Sequence, residues 1–139
     1  MKILQFAFDS REESDYLPHN YTHNCVVYTG THDNDTVMGW YDTLKGADKK
    51  LCDDYLRLKN ADGEPIPREQ LPWEFVRAAM SSVADLAIIP MQDYLGLGSE
   101  ARINIPSTLG INWKWRMGNG GFTKELAGRI RSMTKLYGR

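Results

Sequence analysis

Long apolar runs are missing from this 139-residue sequence. No stretch approaches the roughly 20 apolar residues that cross a bilayer, so neither a membrane span nor a membrane partner is expected. Charge of one sign is missing as well. Lys and Arg number 17 against 18 Asp and Glu, a net charge of −1, which gives no long-range pull on phosphate backbones or anionic surfaces. Nucleic acid is thereby removed from the expected partners. Cysteine is scarce. Cys25 and Cys52 have no CxxC partners, so they build neither a disulfide framework nor a zinc ribbon and read as buried thiols. No secretion signal is expected at the N-terminus, since residues 1–8 are apolar only briefly, carry Gln5, and run into Asp9, Glu12 and Glu13. A cytoplasmic location is the expectation.

What is present is the composition of an ordinary globular protein, 42% apolar and 25% charged. The length fits one domain or one piece of a larger one. Three short β-favouring runs, residues 3–8, 25–28 and 86–89, are apolar at both alternating positions, as strands buried on both faces of a parallel sheet are. Between the second and third lie two helical patterns. One covers about 47–58, with Leu51, Tyr55 and Leu58 on one stripe. The other covers about 69–84, with Phe75, Ala79 and Val83 at helical spacing and Pro72 confined to the first turn. Residues 60–65 read as a turn, and 90–122 as an irregular tract rich in Gly, Asn and Trp. A last helix is expected from an N-cap at Thr123 towards Leu136.

Strand–helix alternation argues for an α/β fold. Three strands are few for a parallel sheet that needs cover on both faces, so residues 1–139 read as one segment of a larger domain, with no second domain. The first strand would then expose an unpaired edge. Self-association, or a missing N-terminal part of the sheet, is the expected partner for that edge.

The second run ends in Thr31-His32-Asp33-Asn34-Asp35-Thr36. In α/β barrels, reactive side chains sit where strands give way to loops. A carboxylate there can grip two neighbouring hydroxyls of a sugar and offset positive charge developing at the anomeric carbon, while an imidazole donates to another hydroxyl. The alternative is structural: Asp33 to Thr36 cap a helix running through Val37, Met38, Trp40 and Tyr41, and Asp35 suits either role. A metal site is the competing chemistry, because His32, Asp33 and Asp35 are all potential ligands. His19 and His23 are also four apart, but Pro18, Asn20 and Asn24 argue against a helix there. Gly96-x-Gly98 lacks the third glycine of a phosphate loop. The polar loop after it leaves a Glu100–Arg102 pair open. Asn112, Trp113 and Trp115 place an amide among indoles, which can stack on pyranose faces or anchor a long loop to the core.

A family resemblance becomes visible when these stretches are taken in order. They are residues 2–9, 17–21 and 28–36, then Gly39-Trp40-Tyr41, Ser82-Val83-Ala84, residues 88–93, 95–102, and Gly110-Ile111-Asn112-Trp113-Lys114-Trp115-Arg116. The chain resembles the last part of the 4-alpha-glucanotransferases, also called amylomaltases or disproportionating enzymes. The likeness covers nearly the whole chain and is unspecific only in 45–71 and after Met117. It implies the C-terminal part of a (β/α)8 TIM barrel, contributing about the last three strands. It also implies action on alpha-1,4-glucans and maltooligosaccharides with no metal or organic cofactor. The implied reaction is a retaining double displacement: an aspartate attacks, a glutamate protonates the leaving oxygen, and a sugar 4-hydroxyl captures the glucosyl-enzyme.

By the same resemblance Asp33 is the transition-state stabiliser and His32 its sugar-binding neighbour. Phe6, Phe8 and Asp9 lie beside the cleft, and Asn112, with Trp113 next to it, matches a glycine–asparagine–tryptophan motif. The motifs that carry the nucleophile and the acid/base are absent from the sequence. The chain by itself is therefore expected to be inactive, and a truncated product or excised fragment is the expectation. Two rival readings are a non-catalytic glucan-binding module and a metal-dependent hydrolase.

Overall fold

In the computed structural model, which describes residues 1–139, the three apolar runs form one parallel sheet. Its strands are β1 (Lys2–Ile3), β2 (Val26–Tyr28) and β3 (Leu86–Ile88), in the order β1-β2-β3. Ile3 lies opposite Tyr28, which lies opposite Ile88, while Lys2, Val27 and Ala87 align on the other face.

The first strand is shorter than expected. After Ile3 the chain leaves the sheet in a 3₁₀ turn, Leu4–Phe6, because Leu4, Ala7 and Phe8 drop into the helical layer behind it. The helices are α1 (Val37–Tyr41), α2 (Gly46–Leu56), α3 (Leu71–Met80), α4 (Met91–Tyr94) and α5 (Lys124–Leu136). The tract read as irregular thus holds α4 and a 3₁₀ turn at Ser99–Ala101.

Helix α3 organises the packing, because it is apolar nearly all round. Phe75 is fully buried and meets the rings of Phe8, Trp40 and Tyr41 edge-on. Burying such a side chain contributes about 2–3 kcal/mol. Ala79 packs towards Val27 and Ala84, and Trp73, Val76 and Met80 receive Leu126, Ile130 and Met133 of α5. Pro72 sits in the first turn of α3, where its missing N–H costs nothing. The helix stops at Met80, so Val83 is exposed beyond it rather than continuing the stripe.

In α2 the buried stripe is Cys52 and Leu56, one position on from the expected Leu51 and Tyr55, which are only half-buried. Leu58 is buried but lies past the helix, which Arg57 closes in a left-handed conformation (φ 58°). Thr123 caps α5 as expected, its Oγ1 accepting the Leu126 N–H at 3.1 Å.

The sheet is covered on one face only. Val27 and Ala87 meet the helices, whereas Leu86 and Ile88 remain 51% and 40% exposed on the other side. Burial on both faces, expected from the sequence, is not seen, because three strands cannot curl round to cover their own concave side. No helix is long and apolar enough to cross a membrane.

Candidate functional site

On the uncovered side, at the strand ends, lies a cleft of about 620 Å³. Ile3, Tyr28 and Ile88 contribute its apolar part, and Phe6, His32 and Asp33 its rim. The backbone beside it is closely fitted. A methyl group on Gly30 would stand 2.5 Å from Gln5 Nε2, and that amide donates to the carbonyl of Asp35 at 2.8 Å. A side chain at this position would push the Gln5 amide away from that carbonyl.

The turn that follows bonds to itself. Asn34 Oδ1 accepts both the N–H and the hydroxyl of Thr31, each at 2.8 Å. The cap of α1 is Thr36, whose Oγ1 accepts the Gly39 N–H at 3.1 Å. Asp35 takes the Thr36 N–H on one oxygen and the Ser99 hydroxyl on the other. The structural alternative for this segment therefore falls on Thr36 and Asp35, and Asp33 takes no part in capping.

His32 and Asp33 stand half in solvent, at 54% and 51% exposure, with Nε2 3.4 Å from Oδ1. Asn104 Nδ2 donates to Asp33 Oδ1 at 2.7 Å. The Asn104 N–H donates to the His32 carbonyl at 3.1 Å, and Arg102 reaches the Asp33 carbonyl at 2.8 Å. Arg102 is spent on this backbone, while Glu100 accepts the Gly98 N–H, so the pair left open between them does not form. The exposed indole of Trp113 lies against the His32 ring, with centroids 5.1 Å apart and planes tilted by 36°. Its backbone is left-handed (φ 65°) and is tied to the Ile103 carbonyl at 2.7 Å.

The structure thus gathers Phe6, His32 and Asp33 around one cleft, with Trp113 against His32. It does not bring Phe8, Asp9 or Asn112 there. Phe8 is 4% exposed and packed among Trp40, Tyr55 and Phe75. Both Asp9 oxygens are engaged by Arg11, at 2.8 and 2.6 Å, and these hydrogen bonds draw the carboxyl down to about 2. Asn112 is committed to its own loop, accepting the Ile105 N–H and donating to Thr108. The His19–His23 spacing also dissolves. His19 lies in a 3₁₀ turn and meets the Tyr55 hydroxyl at 2.9 Å, and no three His, Cys, Asp or Glu side chains converge as metal ligands.

The family model for 4-alpha-glucanotransferase matches residues 1–121. The chain belongs to the 4-alpha-glucanotransferase family. It is 49% identical over 140 residues to the 4-alpha-glucanotransferase of Clostridium butyricum, a match covering 100% of this chain and 27% of that one. It is 47% identical over 139 residues to the enzyme of Thermus thermophilus, again with 27% of the relative covered. The structure superposes on amylomaltase from Streptococcus agalactiae in complex with acarbose with a TM-score of 0.89 at 34% identity, spanning all of this chain and 27% of that one. The chain thus spans about a quarter of the length of the 4-alpha-glucanotransferases it matches, at their C-terminal end. Its sheet is accordingly the closing part of a (β/α)8 barrel, and the open face is the one that lines a barrel interior.

One carboxylate of this 4-alpha-glucanotransferase segment carries no signal in the sequence as a functional group. Asp93 is 2% exposed, accepting the Thr29 hydroxyl on one oxygen and the Val37 N–H on the other, so it joins the end of β2 to the start of α1. Burial pushes its carboxyl up to about 6 against these two bonds, with Asp35 adding to the rise. A folded value above the unfolded 3.8 means the folded state holds the proton more tightly. The associated stability is complete below about 3.8 and is lost as the pH climbs through about 6. A rise of that size corresponds to roughly 3 kcal/mol. Asp93→Asn can accept the Val37 N–H through its oxygen and donate through its amide to the Thr29 hydroxyl, all without the charge, so wild-type stability should fall relative to that variant between about pH 4 and about pH 6. Urea denaturation across this range reads the difference, and parallel curves would refute it.

Proposed function

We propose that this chain forms the sugar-gripping lip of a 4-alpha-glucanotransferase, acting on alpha-1,4-glucans when the rest of the barrel is in place. The observation that carries this reading is the His32–Asp33 pair, half-exposed on the cleft rim and held by Asn104 and Arg102, with an indole against the imidazole. Asp33 opposes the positive charge that develops at the anomeric carbon, and His32 donates to a neighbouring hydroxyl. Phe6 offers an apolar surface to a pyranose face across the cleft.

The remaining chemistry is that of a retaining transfer. A nucleophilic carboxylate and a carboxylic acid/base lie about 5 Å apart on opposite sides of the scissile bond. Neither role suits this chain. Asp35 has both oxygens engaged and shares one short turn with Asp33, and Asp93 is buried. Both groups then come from the preceding part of the barrel, which would dock on the open sheet face and pair the free edges of β1 and β3. No metal or organic cofactor enters the scheme.

The test uses a completed barrel, in which this chain is fused behind the part of the Clostridium butyricum relative that it does not match. Calorimetric titration with maltoheptaose should give saturable heat that His32→Ala weakens and that added zinc leaves unchanged. Saccharide binding that requires zinc would favour a metal-dependent hydrolase. Binding indifferent to His32 would remove that residue from the site.

A further inference from the structure

Asp33 stands on a loop, yet its carboxylate is not free to turn. Three hydrogen bonds tie the His32–Asp33 segment to one distant tripeptide, and a fourth braces that tripeptide. Asn104 donates its amide to Asp33 Oδ1 and its N–H to the His32 carbonyl, while Arg102 donates to the Asp33 carbonyl and, through Nε, to the Asn104 carbonyl. Between them, the Ile103 carbonyl receives the Trp113 N–H, and its side chain lines the cleft. Residues 102–104 therefore hold both the carboxylate and the indole that faces His32.

The geometry points to Asn104 as the positioning residue for Asp33, an inference that rests on the reading of Asp33 given above. Two features argue for more than a loop staple. The Asn104 backbone bond to His32 already joins the two segments, so the side chain is spare for stapling. It is aimed at a charged oxygen instead, where a hydrogen bond is short and strong. The donor is also neutral. An Arg or Lys at this place would cancel the charge that must oppose a developing cation, whereas an amide fixes the direction of the carboxylate and leaves its charge intact. With Oδ1 held by Asn104 and close to His32 Nε2, Oδ2 is free of protein donors and available to the sugar.

The experiment is a double-mutant cycle in the completed barrel, with maltotriose as substrate and melting temperature as the control for folding. Asn104→Ala should lower kcat by about 10- to 100-fold with KM changed less than about threefold, as expected when a charge-stabilising group is misplaced by about 1 Å. Asn104→Asp keeps the shape but sets a second carboxylate against the first, and should lower kcat at least as far without loss of melting temperature. Added to Asp33→Asn, Asn104→Ala should cost less than about twofold more, because its effect passes through the missing charge. Additive losses would overturn the inference, as would a KM effect alone. If Asp33→Asn is damaging while both Asn104 variants are silent, the inference fails and the role of Asp33 stands. If Asp33→Asn is itself silent, the role of Asp33 fails and the inference with it.

Discussion

In a completed barrel, Asp33→Asn should lower kcat for maltotriose disproportionation by about 10³-fold while leaving the fold intact. The size follows from electrostatics. A carboxylate about 4 Å from a developing unit charge, at an effective dielectric of about 20, is worth about 4 kcal/mol, which is about three decades in rate. The interaction is absent in the neutral ground state, so the loss belongs to kcat, and KM should move by less than about threefold. The substitution is isosteric. The introduced side chain can still accept from the Asn104 amide through its own carbonyl oxygen, and half-exposure of the site spares the variant a desolvation penalty. Melting temperature should therefore change by no more than about 2 °C, in line with an ordinary surface replacement. Chromatography of the longer maltodextrins gives the rate. Turnover equal to wild type would strike Asp33 from the mechanism.

The sequence makes some of this arrangement visible and hides the rest for identifiable reasons. The second and third strands and the Thr123 cap are local features, each readable from an apolar run or a capping residue. The first strand is not, because residues 3–8 are apolar at both parities and fit a strand as well as a turn into the core. That ambiguity carries into the site. In an extended strand Phe6 and Phe8 share a face, which would put both beside the cleft. The 3₁₀ turn at Leu4–Phe6 breaks the alternation and sends Phe6 to the rim and Phe8 into the core. His32 and Asp33 are legible as a dense polar cluster at a strand end, whereas their holders are not. Asn104 lies 71 positions from Asp33, and the Thr29–Asp93 bond spans 64. Nothing in local pattern links such pairs until the sheet brings the strand ends together. Asn112 is the converse case: an amide beside tryptophan suits a sugar site, while both of its N–H groups and one lone pair of its oxygen are engaged within the 105–112 loop.

Purified alone, the chain should show no disproportionation of maltotriose, and it should gain activity when the preceding part of a related barrel is supplied as a separate polypeptide. The first half of this expectation is chemical. Asp33 and Asp35 lie on one turn, with Asp35 engaged by Thr36 and Ser99, so they cannot flank a glycosidic bond from opposite faces as a retaining pair must. The second half is physical. Leu86 and Ile88 present apolar surface on the concave side, and neither β1 nor β3 has a partner on its outer edge. Such edges template association. Light scattering should accordingly find dimers or larger species of the chain alone, and a 1:1 complex once the remaining strands cover that face. The Asp33→Asn chain should assemble to the same extent but turn over about 10³-fold more slowly, which separates docking from chemistry. A monomer with a sharp two-state melt would show that the open face needs no partner. Turnover by that monomer would show in addition that the chain holds a nucleophile, and the division of labour across the barrel would fall with it.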